Sequence, residues 1–236
     1  MKVRRIEKKR PAVCLSLACK TVDELKEEFA QNKNYCQMVE WCIEKTEGSE
    51  NYSEEEFKAI LKDIKKMCGL KKLIVSYKGD ISVGGRILAW SVGIANIIDV
   101  DADNPCLPAV VKATRFSRSK VLISHHRYDE MPSRDDIAEQ FIKMEKLGGD
   151  ILKIACFAKE EIDTHQMLEG AAAYVQLRKA KPIVAIAMGE NGQTSRVCAG
   201  DFGSMISYAY GSEPTAPGQF TAKDLSKYLD VYYGEK

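Results

Sequence analysis

The sequence predicts an α/β protein that folds as a single-domain (β/α)8 TIM barrel. Short apolar runs alternate with longer helical patterns along all 236 residues, which is typical of repeated βα units around a parallel sheet. Eight such runs occur, and eight parallel strands at this chain length indicate closure into a barrel. No low-complexity tract or linker divides the chain, so we expect one domain over residues 1–236.

Each strand is predicted from a short apolar run of the kind that fits a strand buried on both faces. In order, the runs are AVCLSLA (12–18), QMVEWCI (37–43), KLIVSYK (72–78), NIIDVDA (96–102), KVLISHH (120–126), DILKIACF (150–157), PIVAIAMG (182–189) and a weaker MISYAYG (205–211). Helix start signals lie between them at Thr21, Ser53, Ser133 and Thr221. Two helical patterns end at Gly69 and Gly148, where a left-handed residue is useful.

Net charge, cysteine spacing and the length of the apolar runs indicate which partners and which cellular compartment to expect. The formal net charge is +1, so nothing global favours nucleic acid as a partner, and a small ligand is expected. The eight cysteines form no C-x-x-C pair, which favours reduced thiols in the cytoplasm over disulfides or a zinc site. We find no export signal and no apolar run long enough to cross a bilayer, so no membrane partner is predicted. Residues 1–10 are interpreted as a basic, solvated N-terminal arm.

Polar side chains near the strand ends are the first candidates for a functional site, because barrels carry their chemistry at the carboxyl ends of their strands. Two of these candidates, Asp99 and Asp101, are interpreted as structural. The two histidines are adjacent, point to opposite faces and lack an evident third ligand, so no metal site is predicted. One of them either caps its strand or acts as an acid–base group. The candidates are Glu40, Lys78, Asp99, Asp101, His125 and His126.

Lys153 lies deeper, within the buried run DILKIACF. An unpaired ammonium at such a position costs several kcal/mol or has a strongly depressed pKa. Two interpretations follow. Either a carboxylate such as Glu40 or Asp99 neutralises the lysine as a structural pair, or the lysine is kept neutral for Schiff-base chemistry.

Two loops complete the candidate site. The segment 188–200 follows the seventh strand and carries Arg196, which either clamps a substrate carboxylate bidentately or is an ordinary surface arginine. The Gly/Pro-rich segment 211–220 follows the eighth strand and contains Gln219. It is either an active-site lid or a plain connector.

Four segments in this order, ISHHRY, GGDILKIA, MGENGQTSR and TAPGQ, resemble the type I 3-dehydroquinate dehydratase family. Ser124, His126 and Tyr128 match the S-x-H-x-F motif of that family. Lys153 matches its strand lysine, Arg196 its M-G-x-x-G-x-x-S-R segment, and residues 215–219 its S-A-P-G-Q loop. The likeness runs from the first strand to the last loop.

The resemblance implies a hydro-lyase of the shikimate pathway or of quinate breakdown. Lys153 would form a Schiff base with the ketone of 3-dehydroquinate, and His126 would remove a proton and return one to the departing hydroxyl. No metal or organic cofactor is implied, and a homodimer is expected. By the same carry-over, the residues that bind the carboxylated substrate are Glu40, Lys78, Arg196, Thr215 and Gln219.

The chain departs from the family pattern on one side of the expected site. Cys42 stands where the family has an arginine, Lys78 replaces a second arginine, and Val83, or Ser82 in the alternative alignment, replaces a glutamate. Arg127 follows the expected catalytic histidine and would lower the pKa of that histidine if it came close. A changed polar wall rejects substrates whose groups go unpaired, so a related carboxylated ring ketone is a second candidate substrate.

Two other functions remain compatible with the residues. A class I Schiff-base aldolase would use the same kind of lysine to cleave a carbon–carbon bond. A non-catalytic paralogue would bind a carboxylated ring and form no adduct at Lys153. Product analysis separates them, since dehydration yields a conjugated enone and aldol cleavage yields two fragments.

Overall fold

A computed structural model describes residues 6–177 and 179–234 as one barrel of eight parallel strands, which confirms the predicted fold class. Every predicted strand is present. Most strands begin or end one or two residues inside the predicted apolar run, and β5 extends one residue beyond its run. The strands are β1 (Ala12–Leu17), β2 (Met38–Cys42), β3 (Lys72–Ser76), β4 (Ile97–Asp101), β5 (Lys120–Arg127), β6 (Ile151–Phe157), β7 (Ile183–Met188) and β8 (Ile206–Tyr210).

Helices cover the outside of the barrel and follow the strands in turn. They are α1 (Val22–Asn32), α2 (Glu54–Cys68), α3 (Ile81–Trp90), α4 (Leu107–Thr114), α5 (Arg134–Lys146), α6 (Glu161–Val175), α7 (Gln193–Cys198) and α8 (Ala222–Tyr233). The four predicted start signals are confirmed as N-caps whose side-chain oxygens accept a backbone N–H of the first turn, and Thr21 forms a full capping box with Glu24.

The sheet is continuous in the order β7-β6-β5-β4-β3-β2-β1-β8. Between β7 and β8, within the described residues, the backbone contact consists of an isolated bridge between Ile183 and Ser204 and one hydrogen bond from Met205 N to Ile183 O (2.9 Å). The barrel is therefore nearly closed, with a seam between these two strands. The weaker apolar run of the eighth strand is consistent with this position.

Apolar side chains fill two concentric layers. The outer layer lies between strands and helices and contains the largest buried side chains, among them Trp41, Phe57, Phe141 and Tyr174. The inner layer closes the lower part of the barrel with residues such as Met38, Ile74, Leu122 and Val184. Side chains alternate along a strand, so the next inward-facing positions stand directly above this apolar plug. Those positions carry the polar residues of the site.

Only the second half of the predicted N-terminal arm lies in the described part of the chain, and residues 1–5 fall outside it. Arg10 Nε donates to Asp230 Oδ1 of α8 at 2.9 Å, so the arm joins the barrel beside the last helix. Among the helices of the described ranges, none combines the length and apolar character that a bilayer crossing needs.

Candidate active site

Lys153 forms the floor of the site in the middle of β6, and its ammonium is paired. Its Nζ lies 3.0 Å from Asp99 Oδ2 and 3.8 Å from Glu40 Oε1. The same nitrogen stands 4.4 Å from the centre of the Tyr208 ring, a cation–π contact. The paired state that the sequence left open is therefore present, with both of the carboxylates considered for it.

Asp99 is the central anion of the site, although the sequence analysis interpreted it as structural. Its side chain is fully buried on β4. Besides Lys153, it accepts a hydrogen bond from Lys78 Nζ at 2.8 Å and from Ser124 Oγ at 2.6 Å. Burial raises the pKa of the Asp99 carboxyl, but the two lysines hold it well below its usual range. The signal available in the sequence was an acidic residue inside the apolar run NIIDVDA.

Of the two interpretations of Lys153, the one in which burial keeps the lysine neutral is wrong. Burial alone lowers the pKa of Lys153, but Asp99 first and Glu40 after it raise the pKa well above its usual value. Desolvation is the largest single influence on this pKa, but the neighbouring groups together outweigh it because they are held close to the ammonium inside the barrel. Lys153 is thus an ammonium at neutral pH and must lose a proton before it can act as a nucleophile.

His126 lies at the end of β5, with its ring parallel to that of Tyr128 at a centroid distance of 6.5 Å. Its Nδ1 is 3.6 Å from Asp101 Oδ2. Burial lowers the pKa of His126, the charges of Lys153 and Lys78 lower it further, and Asp101 opposes the shift by favouring the imidazolium. The net direction is downward, so the imidazole is neutral at pH 7 and can accept a proton.

Arg127 was expected to lower the pKa of His126 only if it came close, and that condition is not met. Its guanidinium turns away and pairs with Asp129 Oδ2 at 2.9 Å and Glu130 Oε1 at 2.8 Å. The next residue of a strand points to the opposite face, which accounts for the outward direction. Asp101, which the sequence analysis interpreted as structural, is the charged neighbour that His126 has instead.

Glu40 and Cys42 form the β2 side of the site. Ser16 Oγ donates to Glu40 Oε2 at 3.3 Å, and Cys42 Sγ lies 3.8 Å from the same oxygen. Burial and the nearby Glu40 raise the pKa of the Cys42 thiol well above its usual value. This wall therefore presents a neutral thiol and an occupied carboxylate.

Arg196 reaches the site from α7, and its guanidinium crosses the seam between β7 and β8. Nη1 donates to Tyr208 O at 3.4 Å and Nη2 donates to Pro217 O at 2.9 Å. The side chain is buried with no carboxylate partner among the described residues, and this burial lowers its pKa to about 10. A buried cation held by backbone carbonyls alone is suited to an anionic ligand group.

The loop 211–220 is tied together by its own glutamine. Gln219 Oε1 accepts hydrogen bonds from Thr215 N at 2.7 Å, Thr215 Oγ1 at 3.0 Å and Ala216 N at 3.1 Å. Gly218 has a φ of +74°, and a Cβ built on it would stand 2.1 Å from Gly189 O. The loop thus rests directly on the turn that follows β7.

These side chains enclose one cavity of about 230 Å³ at the mouth of the barrel. The structure brings together in its lining all seven site residues that the sequence analysis named, and the cavity also contacts Cys42, Glu44, Tyr128 and Tyr208. Val83 is absent from the lining. Over residues 6–177 and 179–234, the structure contains no group of three His, Cys, Asp or Glu side chains arranged to hold a metal ion. The seven are Glu40, Lys78, His126, Lys153, Arg196, Thr215 and Gln219.

Comparison with solved structures shows the same fold. The structure of type I 3-dehydroquinate dehydratase from Clostridium difficile with covalently modified comenic acid has a TM-score of 0.88 and 22% identity, covering 98% of this chain and 96% of that one. The 3-dehydroquinate dehydratase from Geobacillus kaustophilus has a TM-score of 0.84 and 20% identity, covering 99% and 96%. At these identities the likeness concerns the fold.

Sequence comparison extends the likeness over nearly the whole chain. The 3-dehydroquinate dehydratase of Clostridioides difficile is 24% identical over 238 aligned positions, covering 95% of this chain and 92% of that protein. The corresponding enzyme of Staphylococcus carnosus is 28% identical, covering 94% and 96%. The family model described as type I 3-dehydroquinase matches residues 13–236. The chain therefore belongs to the type I 3-dehydroquinase family.

Proposed function

We propose that this protein is a Schiff-base-forming 3-dehydroquinate dehydratase, a hydro-lyase that converts 3-dehydroquinate into 3-dehydroshikimate and water. The observation that carries the proposal is one small cavity in a chain of this family. In it meet a lysine, a neutral histidine and a buried arginine that has no carboxylate partner among the residues the structure describes. Those are the groups that imine formation, proton abstraction and carboxylate binding require.

Arg196 and the loop 211–220 orient the substrate in this proposal. The Nε group of Arg196 is buried without an acceptor in the described residues, and its positive charge favours the ring carboxylate. Thr215 and Gln219 approach the same group from the loop. Anchoring the carboxylate at Arg196 places the ketone over Lys153, which lies in the same cavity.

Imine formation begins with the loss of a proton from the Lys153 ammonium. The free amine attacks the ketone carbon, and the ketone oxygen leaves as water once it has gained two protons. The resulting iminium withdraws electrons from the neighbouring carbon and makes a C–H bond there acidic. Asp99 and Glu40, which surround the ammonium, lie beside the iminium in the same way.

His126 carries the proton in the elimination step. The neutral imidazole removes a proton from the carbon next to the iminium, and the electron pair becomes the enamine. The imidazolium then donates that proton to the departing hydroxyl, which leaves as water and generates the conjugated double bond. Hydrolysis of the iminium releases the enone and restores Lys153.

The β2 and β3 wall favours a second candidate substrate, a related carboxylated ring ketone. Cys42 offers a neutral thiol, and Lys78 is engaged by Asp99 and Ser124. A wall with few free cationic donors discriminates differently among ring hydroxyls. Good turnover of such an analogue beside poor turnover of 3-dehydroquinate would support this alternative.

The experiment is reductive trapping of the imine with matched lysine variants. Purified protein is incubated with 3-dehydroquinate and borohydride, and its intact mass is recorded beside the ultraviolet absorbance of an untreated reaction. We expect an adduct on the wild type and on Lys78→Ala, and none on Lys153→Ala, because both lysines line the cavity but only Lys153 is the proposed nucleophile.

The outcomes separate the candidate functions. An adduct together with enone formation supports the dehydratase, whereas an adduct with two smaller fragments supports an aldolase. An adduct that maps to Lys78, or ligand binding without any adduct, contradicts the proposed mechanism. Ligand binding alone is the behaviour of a non-catalytic paralogue.

The proposal also covers the partners, the compartment and the oligomeric state of the protein. The partner is a small carboxylated substrate, with no nucleic acid, membrane or cofactor involved. We propose that the protein acts in the cytoplasm as a homodimer. The many thiols favour that compartment, since their distribution suits the reduced state.

A further inference from the structure

The cavity contains three buried polar atoms that have no hydrogen-bond partner within the described residues. They belong to Glu44 (Oε2), Arg196 (Nε) and Tyr208 (Oη). A buried polar atom without a partner costs free energy, on the order of 1–3 kcal/mol. Three such atoms in residues lining one cavity destabilise the folded protein. A bound ligand whose polar groups pair with them would remove this destabilisation.

The hydroxyl of Tyr208 is a hydrogen-bond donor that has no acceptor among the described residues. Tyr208 lies on β8 with 3% of its surface exposed, and its ring already packs against the Lys153 ammonium. Burial raises the pKa of Tyr208 well above its usual value, so the hydroxyl keeps its proton. Tyr208 lines the same cavity as Lys153.

The carboxylate of Glu44 is a hydrogen-bond acceptor. It follows β2, so β1 lies between it and Tyr208 on β8. Glu44 lies in a short 3₁₀ helix, Ile43–Lys45, directly after β2. Burial raises the pKa of its carboxyl, while the backbone N–H groups of Glu44 and Lys78 oppose the shift. Glu40, one of the residues that the family resemblance assigned to substrate binding, already contacts Ser16, Cys42 and Lys153. The free carboxylate oxygen on this wall is therefore that of Glu44.

We propose that Tyr208 and Glu44 are specificity-determining residues that read two polar groups of the substrate. Tyr208 donates to an acceptor oxygen near β8, beside the carboxylate held by Arg196, and Glu44 accepts from a ring hydroxyl near β2. The ligand class is a carboxylated ring ketone that carries at least one hydroxyl across the ring from its acceptor oxygen. This inference rests on the proposed function, because the reacting carbon must lie at Lys153.

The test compares Tyr208→Phe and Glu44→Gln with Tyr233→Phe. Phenylalanine keeps the ring on Lys153 and removes the hydroxyl alone. Tyr233 is the matched control because its buried hydroxyl also lacks a partner in the described ranges but lies outside the cavity. Turnover of 3-dehydroquinate is measured for each variant, and its dissociation constant is measured by calorimetry in a Lys153→Ala background.

We expect Tyr208→Phe to lower kcat/KM about tenfold and to weaken binding about as much, while its unfolding midpoint stays level or rises. That combination distinguishes a ligand contact from a structural role, which would lower the midpoint. Glu44→Gln is expected to weaken binding by about tenfold or more, since a charged acceptor is lost. Tyr233→Phe is expected to leave both kinetic quantities unchanged.

Unchanged binding in both cavity variants overturns the inference, and so does an equal loss in Tyr233→Phe. If the wild type shows no turnover while binding depends on the Tyr208 hydroxyl, the proposed function fails and the inference stands. If 3-dehydroquinate does not bind at all, both fail.

Discussion

Asp99 sets the electrostatics of the site from a fully buried position. It is held between Lys78, Lys153 and Ser124, at 2.6–3.0 Å. A buried carboxylate with two cationic partners is strongly favoured in its charged form. Lys153 therefore rests as an ammonium, and in the proposed mechanism its amine must be generated when the substrate binds.

Sequence reasoning named Lys153, His126 and both carboxylate partners of Lys153, but it missed the partner of His126. Lys153 and His126 were recognisable because a lysine within an apolar strand and a histidine at a strand end violate the local pattern. Asp99 violates it too, but its interpretation depended on which strands lie next to one another. Glu44 and Tyr208 gave no signal, because the absence of a hydrogen-bond partner is a property of the folded structure alone.

The pH dependence of the reaction is expected to follow the neutral form of His126. Its pKa is lowered chiefly by burial, so the acidic limb of kcat/KM should have its midpoint below about 6.5. Asp101→Asn removes the carboxylate that favours the imidazolium, so the pKa of His126 falls further and the limb moves to lower pH. The measurement is a pH profile of kcat/KM for both proteins.

The control for this profile is Asp129→Asn. That substitution removes a carboxylate three positions from His126, but Asp129 pairs with Arg127 on the outer face. Its limb should coincide with that of the wild type. A limb that moves to higher pH in Asp101→Asn would contradict the assigned direction.

At the scale of elements, the loop 211–220 depends on one glycine. Gly218 combines a φ of +74° with a close approach to the backbone of Gly189. Alanine at this position must strain the backbone and push the loop away from the turn after β7. Because Gln219 and Thr215 belong to the same loop, they move with it.

We therefore expect Gly218→Ala to lower kcat/KM at least tenfold. Gly48→Ala is the matched control, since Gly48 also has a φ of +74° but has open space around its Cβ position. Both variants should lose stability, about 1–3 kcal/mol from backbone strain, as measured by urea unfolding. Equal kcat/KM values for the two variants would show that the contact with Gly189 has no role in activity.

Element boundaries were predictable because the local signals are strong. Each N-cap found in the sequence, such as Thr21 with Glu24, matches a helix start. The function of the loop 211–220 stays a prediction. Its internal hydrogen bonds to Gln219 could not be predicted, since they join residues of an irregular segment that has no periodic pattern.

At the scale of the whole molecule, the barrel is weakest at the seam between β7 and β8. Side chains bridge it: Ser204 Oγ accepts from Ala185 N at 3.1 Å, and Ser207 Oγ donates to Arg196 O at 2.7 Å. Alternation of apolar runs predicted eight strands and their closure into a barrel, which implies the observed pairing of β1 with β8. The weak contact between β7 and β8 could not be predicted from it. Strand count alone leaves the quality of closure undetermined.

Amide hydrogen exchange should show this asymmetry. We expect β8, which has a ladder with β1 on one side only, to exchange sooner than β6, which pairs along its length with β5 and β7. Mass spectrometry of peptides covering each strand provides the measurement. Equal protection of the two strands would indicate that the side-chain bridges close the barrel as firmly as a ladder.

The pairing of Lys153 with Asp99 also determines how the charge inside the barrel changes during the proposed reaction. A protonated imine carries the same single positive charge as the ammonium from which it forms. In the proposed mechanism, Asp99 therefore faces one positive charge both in the resting ammonium and in the iminium adduct, whereas the free amine and the enamine are neutral intermediates. Covalent capture of the substrate by this route would change the shape of that cation and leave the net charge beside Asp99 the same in the free enzyme and in the iminium adduct.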